Sequence, residues 1–195
     1  MHVAVFGAGA LGCVYGVRLA TRTQTSVTFI VRPARVDSRE PLVIERVKNT
    51  KDRRDEIASP VRASEVPQDA DVILLAVGTD DLEAIGPILD RSSAPIVVLT
   101  PMMPDDYARM RSAFGSRVLA TMAGIVAYAK NGVVRYWMPP VPTRIDEPRA
   151  GDDGEVVRAL TKLFCESGID AQLELAVHES NPATTVCMIP IGRAV

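Results

Sequence analysis

The sequence predicts an α/β fold of Rossmann type: a doubly wound, mainly parallel sheet with an antiparallel hairpin extension at one edge. Three observations predict it. The chain opens on an apolar strand, Val3 to Phe6, that runs through Gly7-Ala8-Gly9-Ala10-Leu11-Gly12 into an apolar-periodic segment from Leu11 to Ala20. A second run, Asp71-Val-Ile-Leu-Leu-Ala-Val77, has the unbroken hydrophobicity of a strand buried on both faces. Strand-like and helix-like segments alternate between and after these two, the order that builds parallel sheets.

The opening reads as a strand at 2–6, a glycine turn and a helix at about 10–21. Each glycine of the turn has a physical task. Gly7 allows the tight exit from the strand. Gly9 lets backbone approach a pyrophosphate with no Cβ in the way. Gly12 lets the helix pack closely on the strand. The helix N-terminus then offers free N–H groups and a positive dipole end to phosphate. The other reading is a glycine-rich βα turn that serves packing alone.

The next strand, Val27 to Val31, ends at Arg32. Folds of this kind that bind NAD carry an acid here for the ribose hydroxyls, whereas an arginine suits the additional phosphate of NADP. No Asp or Glu occurs between Thr21 and Val36, and Arg35 is a second cation close by. Missing acid also argues against a flavin dinucleotide. A solvated arginine after a strand is the plainer alternative.

Residues 32–66 are polar and basic, with a dense charge cluster from Lys48 to Glu56. They read as a solvated loop region with short extended pieces at Leu42 to Val47 and Pro60 to Ala63. After the apolar run at 71–77, Gly78 and Thr79 turn the chain. Asp80 to Leu89 is helical, with Thr79 as its N-cap. Pro95 to Thr100 is a buried strand, Asp105 to Phe114 a helix and Val118 to Tyr128 extended. Asn131-Gly132 signals a tight hairpin. Val133 to Met138 and Pro142 to Ile145 are expected as antiparallel strands at the sheet edge. Pro148 to Gly154 is a loop, and Glu155 to Ser167 is an amphipathic helix stopped by Gly168. Ala171 to Val177 is either a last strand or the lead-in to a new helix.

The 195 residues carry a net charge of −2, with 47% hydrophobic and 24% charged residues. That balance predicts no basic face and no nucleic-acid partner. No apolar run reaches the length of a membrane span. Cys13, Cys165 and Cys187 are scattered without metal spacing, and with His2 and His178 they form no zinc pattern. The expected setting is cytoplasmic.

The stretch Val-Phe-Gly-Ala-Gly-Ala-Leu-Gly-Cys-Val-Tyr-Gly-Val-Arg-Leu-Ala resembles the first βα unit of the ketopantoate reductases (2-dehydropantoate 2-reductases). Val31-Arg32, the Asp71 to Leu82 segment and Asn181-Pro182-Ala-Thr keep the order of that family. The resemblance spans nearly the whole chain but only the family's N-terminal domain. It implies NADPH as cofactor and a small branched 2-oxo acid as substrate. By that resemblance Val77, Gly78, Thr79 and Pro101 join Gly7, Ala8, Gly9, Ala10, Leu11, Gly12 and Arg32 as candidate cofactor-binding residues.

Departures accompany the match. Where the family places a lysine after the fourth strand, this chain has Gly78. Where it places an Asn-Gly pair after the next strand, Pro101 and Met102 stand. Counting back from Asn181 puts Leu173 at the catalytic lysine and Val177 at an asparagine that follows it, and no lysine occurs after Lys162. Reducing a 2-oxo acid requires a proton donor and positive charge near the carboxylate; leucine supplies neither. His178, Lys130 and Arg135 are substitutes of the right chemistry, each also readable as a surface or capping residue. No residue is assigned as the catalytic acid, and no metal is expected.

Two units are expected: 1–175 as the dinucleotide-binding domain, and 176–195 as the start of a helical domain or an oligomerisation segment. Val186, Met188, Ile189 and Ile191 would pack against a second copy, as a homodimer, or against a further domain. Functionally the chain reads as a divergent NADPH-dependent 2-oxo acid reductase, or as a non-catalytic dinucleotide-binding sensor or interaction module. A plain α/β domain whose turn holds no ligand is the third reading.

Overall fold

Six parallel strands carry the main sheet of the computed structural model, which describes residues 1–47, 53–78, 82–148 and 154–180. They are β1 (His2–Phe6), β2 (Ser26–Ile30), β5 (Val61–Ala63), β6 (Val72–Leu75), β7 (Ile96–Val98) and β8 (Val118–Met122). Their spatial order, β5-β2-β1-β6-β7-β8, reverses direction at β1. That reversal is the doubly wound topology, and its switch point lies at the carboxyl end of β1. The helices α1 (Ala10–Arg22), α2 (Leu82–Leu89), α3 (Pro104–Phe114) and α4 (Gly154–Glu166) connect and cover the sheet. Val3, Ala4 and Val5 of β1 and all of β6 are buried, as unbroken apolar runs require.

The antiparallel addition expected at one edge is β11 (Thr143–Asp146), which pairs with β8, and β12 (Ala171–Glu174) then pairs parallel with β11. Residues 171–177 thus resolve into a strand followed by a helical turn at 177–180. The Asn-Gly hairpin lies elsewhere. Asn131 and Gly132 have φ of 53° and 76°, and they join β9 (Val126–Lys130) to β10 (Val133–Trp137). These two strands continue a second sheet, β4-β3-β10-β9, formed with β3 (Leu42–Arg46) and β4 (Arg53–Ile57). Val133 to Met138 is therefore not at the edge of the main sheet. Its inward residues Val134 and Tyr136 are buried with α1 in one core, which draws the strand off the main sheet.

Two further expectations are corrected. Residues 32–66 hold one strand more than expected: the extended pieces at 42–47 and 60–63 are β3 and β5, and β4 adds a third from the charged stretch at 53–57. The strand tolerates charge because Asp55 turns inward and accepts Nε–H of Arg22 at 3.1 Å and Nη2–H at 2.5 Å. Ile57 beside it packs on the core, while Arg54 faces out to Glu45 and Glu56. The single extended run expected from 118 to 128 is two strands in two sheets. The break falls at Gly124, where a Cβ would lie 2.5 Å from the carbonyl oxygen of Val141.

Helix α1 is consequently clamped, with the main sheet on one side and the second sheet on the other. Arg18 on its buried face donates to the Tyr136 hydroxyl at 2.7 Å and to the carbonyl of Ser167, tying α1 to β10 and to the end of α4. Tyr15 shares its hydroxyl proton with Thr143 at 2.6 Å and meets the Phe164 ring edge-on. The Thr79 cap, the Asn181-Pro182 pair and the apolar residues from Val186 to Ile191 lie outside the described residues.

Candidate functional site

The glycine turn sits at the switch point, and its three glycines differ in what surrounds them. Gly7 adopts φ +103°, a conformation closed to most L side chains, and its N–H donates to the Ile30 carbonyl at 3.1 Å. A Cβ there would also meet Val77 Cγ1 at 2.5 Å. A Cβ on Gly12 would lie 2.0 Å from the Gly7 carbonyl oxygen and 3.1 Å from Ala76 Cβ, so this glycine is what lets α1 close on β1 and β6. Gly9 has ordinary φ and ψ, and a Cβ on it would meet nothing within 4 Å. The turn is thus tight at both ends and open in the middle.

The opening faces a bare helix end. Gly9 is the N-cap of α1 and contributes no side-chain hydrogen bond, and the first turn holds no acidic residue. The first helical hydrogen bond is Cys13 N–H to the Gly9 carbonyl at 2.9 Å, so the N–H groups of Ala10, Leu11 and Gly12 have no acceptor within the helix. Free N–H groups and the positive end of a 13-residue helix converge on open space. These residues suit the chemistry of a pyrophosphate, with N–H donors at the helix end and no atom within 4 Å of where a Cβ on Gly9 would stand.

Neighbouring strands end on the same side of the sheet. Arg32 follows β2, is exposed, and precedes a short 3-10 turn, Pro33–Arg35, that carries exposed Arg35. Val77 is half-buried after β6, and its carbonyl accepts the Thr100 hydroxyl at 2.9 Å, joining the ends of β6 and β7. Gly78 and Pro101 are exposed at those same two strand ends, while Thr79 lies outside the described residues. Met102 is buried and Met103 is 46% exposed, so only one of the two methionines lines the surface. Cys13 is enclosed in the first turn of α1 with its thiol on the Ala8 carbonyl at 3.2 Å. Burial pushes that thiol up to about 11, against the opposing pull of the Arg62 cation.

The candidate proton donors do not assemble here. Leu173 is in β12, in register with Ile145 of β11. β12 stands five strand positions from β1, roughly 24 Å at about 4.8 Å per step. His178 follows β12. Its Nδ1 lies 3.3 Å from Asp146 Oδ2, and its ring stacks on Tyr107 at 4.3 Å. Asp146 is itself held by the Ala120 N–H at 3.1 Å. This group borders a cavity of about 230 Å³ between α3 and residues 175–179, away from the glycine turn. Lys130 is exposed on β9, and Arg135 pairs with Glu45 at 3.5 Å on the second sheet. Sequence reading also passed over Arg62 on β5. The available signal was its place in the extended piece at Pro60 to Ala63, which the fold sets beside the strand ending at Arg32.

Among the described residues no cluster of three or more His, Cys, Asp or Glu side chains is arranged to hold a metal ion, and no helix is long and apolar enough to cross a membrane.

The model of one protein family, ketopantoate reductase PanE/ApbA, matches residues 3–145. The chain belongs to the ketopantoate reductase family. No curated protein matches it. Among solved structures, the 2-dehydropantoate 2-reductase of Porphyromonas gingivalis W83 superimposes with TM-score 0.71 at 22% identity, over 93% of this chain and 66% of that one. The 2-dehydropantoate 2-reductase of Geobacter metallireducens GS-15 gives 0.69 at 18% identity, over 89% and 58%. A D-mandelate dehydrogenase in ternary complex with NADH and anilino(oxo)acetate gives 0.65 at 20% identity, over 89% and 57%. At these identities the likeness establishes the fold, and the chain spans less than two thirds of each of these proteins.

Proposed function

We propose that this chain binds NADP(H) across its glycine turn and forms the cofactor-binding part of an NADPH-dependent reductase acting on a small 2-oxo acid. The observation that carries the reading is the open space over Gly9 at an uncapped, acid-free helix N-terminus, between two glycines that admit no Cβ. The N–H groups of Ala10, Leu11 and Gly12 would hold the pyrophosphate. Arg32 would hold the 2′-phosphate, a charge-assisted contact that NAD cannot return. Val77, Gly78, Thr79 and Pro101 would border the path from the adenosine toward the nicotinamide. NADPH, when bound, supplies the hydride. Exposed Met103, two residues beyond Pro101, would give an apolar lining there, which suits a substrate less polar than ketopantoate.

Leu173 and Pro101 favour a second reading. Neither can donate a proton or hold a carboxylate, and both stand where the family resemblance calls for groups that do. On this reading the chain is a non-catalytic dinucleotide-binding sensor or interaction module. A cytoplasmic setting suits either reading, since free thiols persist in a reducing compartment. Residues 1–175 would form the dinucleotide unit, and 176–195 would pack against a second copy or a helical domain.

The test is a titration of the purified chain with NADPH and with NADH, followed by intrinsic fluorescence, and then a panel of 2-oxo acids assayed for NADPH oxidation. Tighter NADPH binding with turnover of any panel member supports the reductase. Binding without turnover supports the second reading. Absence of dinucleotide binding rejects both.

A further inference from the structure

Arg62 bonds two backbone carbonyls of a segment more than twenty positions earlier. It lies on β5, the strand beyond β2 at the edge of the main sheet, in register with Phe29. Residues in register on parallel strands share a face, and Phe29 points its ring at α1, where it touches the position a Cβ on Gly16 would take. Arg62 therefore emerges on the α1 side of the sheet. Its guanidinium then spans to the chain that returns from the Arg32 corner: Nη1 donates to the Ser38 carbonyl at 2.5 Å and Nη2 to the Glu40 carbonyl at 2.6 Å. Its charge is also felt at Cys13, in the first turn of α1. The cation thus stands against residues 38–40, within electrostatic reach of the first turn of α1.

Residues 33–40 have little else to order them. The 3-10 turn at Pro33–Arg35 buries no residue. Arg32, Arg35, Arg39 and Glu40 are exposed, and the other hydrogen bonds described in the segment are local, from Arg35, Val36, Ser38 and Glu40 to positions two or three residues earlier. Among the described residues no carboxylate forms an ion pair with Arg32, Arg35 or Arg62. A segment with so few anchors samples many conformations unless a strong long-range contact limits it. The two charge-assisted bonds from Arg62 are contacts of that kind, and their fork geometry fixes both the position and the direction of the two carbonyls.

The geometry points to Arg62 as a positioning residue for dinucleotide choice. It clips residues 38–40 to β5, so that the loop presents Arg32 and Arg35 to a 2′-phosphate, and it adds positive potential to the same corner. The inference rests on the dinucleotide reading above. It predicts that Arg62 governs discrimination between NADPH and NADH while leaving the pyrophosphate cradle unchanged, because its hydrogen bonds go to Ser38 and Glu40 and not to the glycine turn.

The experiment compares the unaltered chain with Arg62→Met and Arg62→Lys, measuring affinities for NADPH and NADH separately. Hydrogen exchange of residues 36–41 is followed in each cofactor-free protein. Arg62→Met is expected to lose about tenfold or more in NADPH affinity, with NADH affinity held within about threefold. The 36–41 amides should exchange faster before any ligand is added. Arg62→Lys, which keeps the charge but not the fork, should fall between the two. Equal losses for both dinucleotides would mark a merely structural role and overturn the inference. So would an unchanged affinity ratio, or unchanged exchange, in Arg62→Met. If the unaltered chain itself does not prefer NADPH, the cofactor reading has failed first, and the variants are not the cause.

Discussion

The two ends of the main sheet differ in how well they serve one chemistry. At β1, α1 and β2 the polar groups are left open: a turn tight at Gly7 and Gly12, open at Gly9, a bare helix end and an exposed Arg32 past the strand. At β11 and β12, polar groups are spent on one another. Asp146 is held by Ala120 N–H and His178, and His178 is stacked on Tyr107. Leu173 packs at the margin of the core. On the proposed reading, holding a dinucleotide and supplying a proton are separate problems in this fold, and the two regions answer them with separate sets of residues.

The sharpest way to break the comparison is at the altered end. The 195-residue chain is expected to reduce ketopantoate poorly, since loss of a positioned acid removes about 10²–10⁴-fold of rate. Rapid NADPH oxidation with ketopantoate by the purified chain would show that the acid is present and misplaced in this account. The intact end makes an internal contrast. Gly12→Val drives a branched side chain onto the Gly7 carbonyl and should cost about 3 kcal/mol or more of stability, read by denaturant unfolding. Gly9→Val enters open space, so it should keep the fold and lose dinucleotide binding. Similar melting behaviour for the two variants would remove the distinction between a packing glycine and a cradle glycine.

Cys13 sharpens the comparison through pH. Its folded value is raised from the ordinary 9.0 to about 11, so the folded state holds the proton more tightly than the unfolded state. The stabilisation is complete below pH 9 and disappears as pH rises through 9 to 11, amounting to roughly 2–3 kcal/mol. Unfolding titrations of the chain and of Cys13→Ala should converge over that window; parallel curves would contradict the burial argument. Arg32→Ala is the mildest change. It should cost about 1.5–3 kcal/mol of NADPH affinity and almost nothing in NADH affinity, by fluorescence titration.

What could be read from the sequence was whatever is written locally. The β1–turn–α1 unit is announced by contiguous residues, and β6 and β7 by unbroken apolar runs. The Asn131-Gly132 turn needs only two residues to state itself. β4 was hidden because its inward side chain is a carboxylate whose partner, Arg22, lies on a helix 33 positions earlier. The split of 118–130 between two sheets was hidden because β8 and β9 have the same strand propensity, and only packing at Gly124 separates them. Arg62 could be placed on an extended piece but not paired, because its partners are backbone carbonyls, which leave no mark in composition. Counting back from Asn181 to Leu173 assumed constant spacing, and the count lands in a strand.

Clamping of α1 between two sheets also sets a timetable. The turn and the helix are complete within the first 22 residues, yet one wall of the helix is β10, which joins β3 across some ninety positions of chain. Closing so long a loop is slow relative to forming a helix. During synthesis α1 emerges early and waits, its second face wet, until residue 137 has left the ribosome. The glycine turn is thus made well before β10 and becomes rigid only after it, and a nascent chain halted before β10 should present that turn on a helix that still frays.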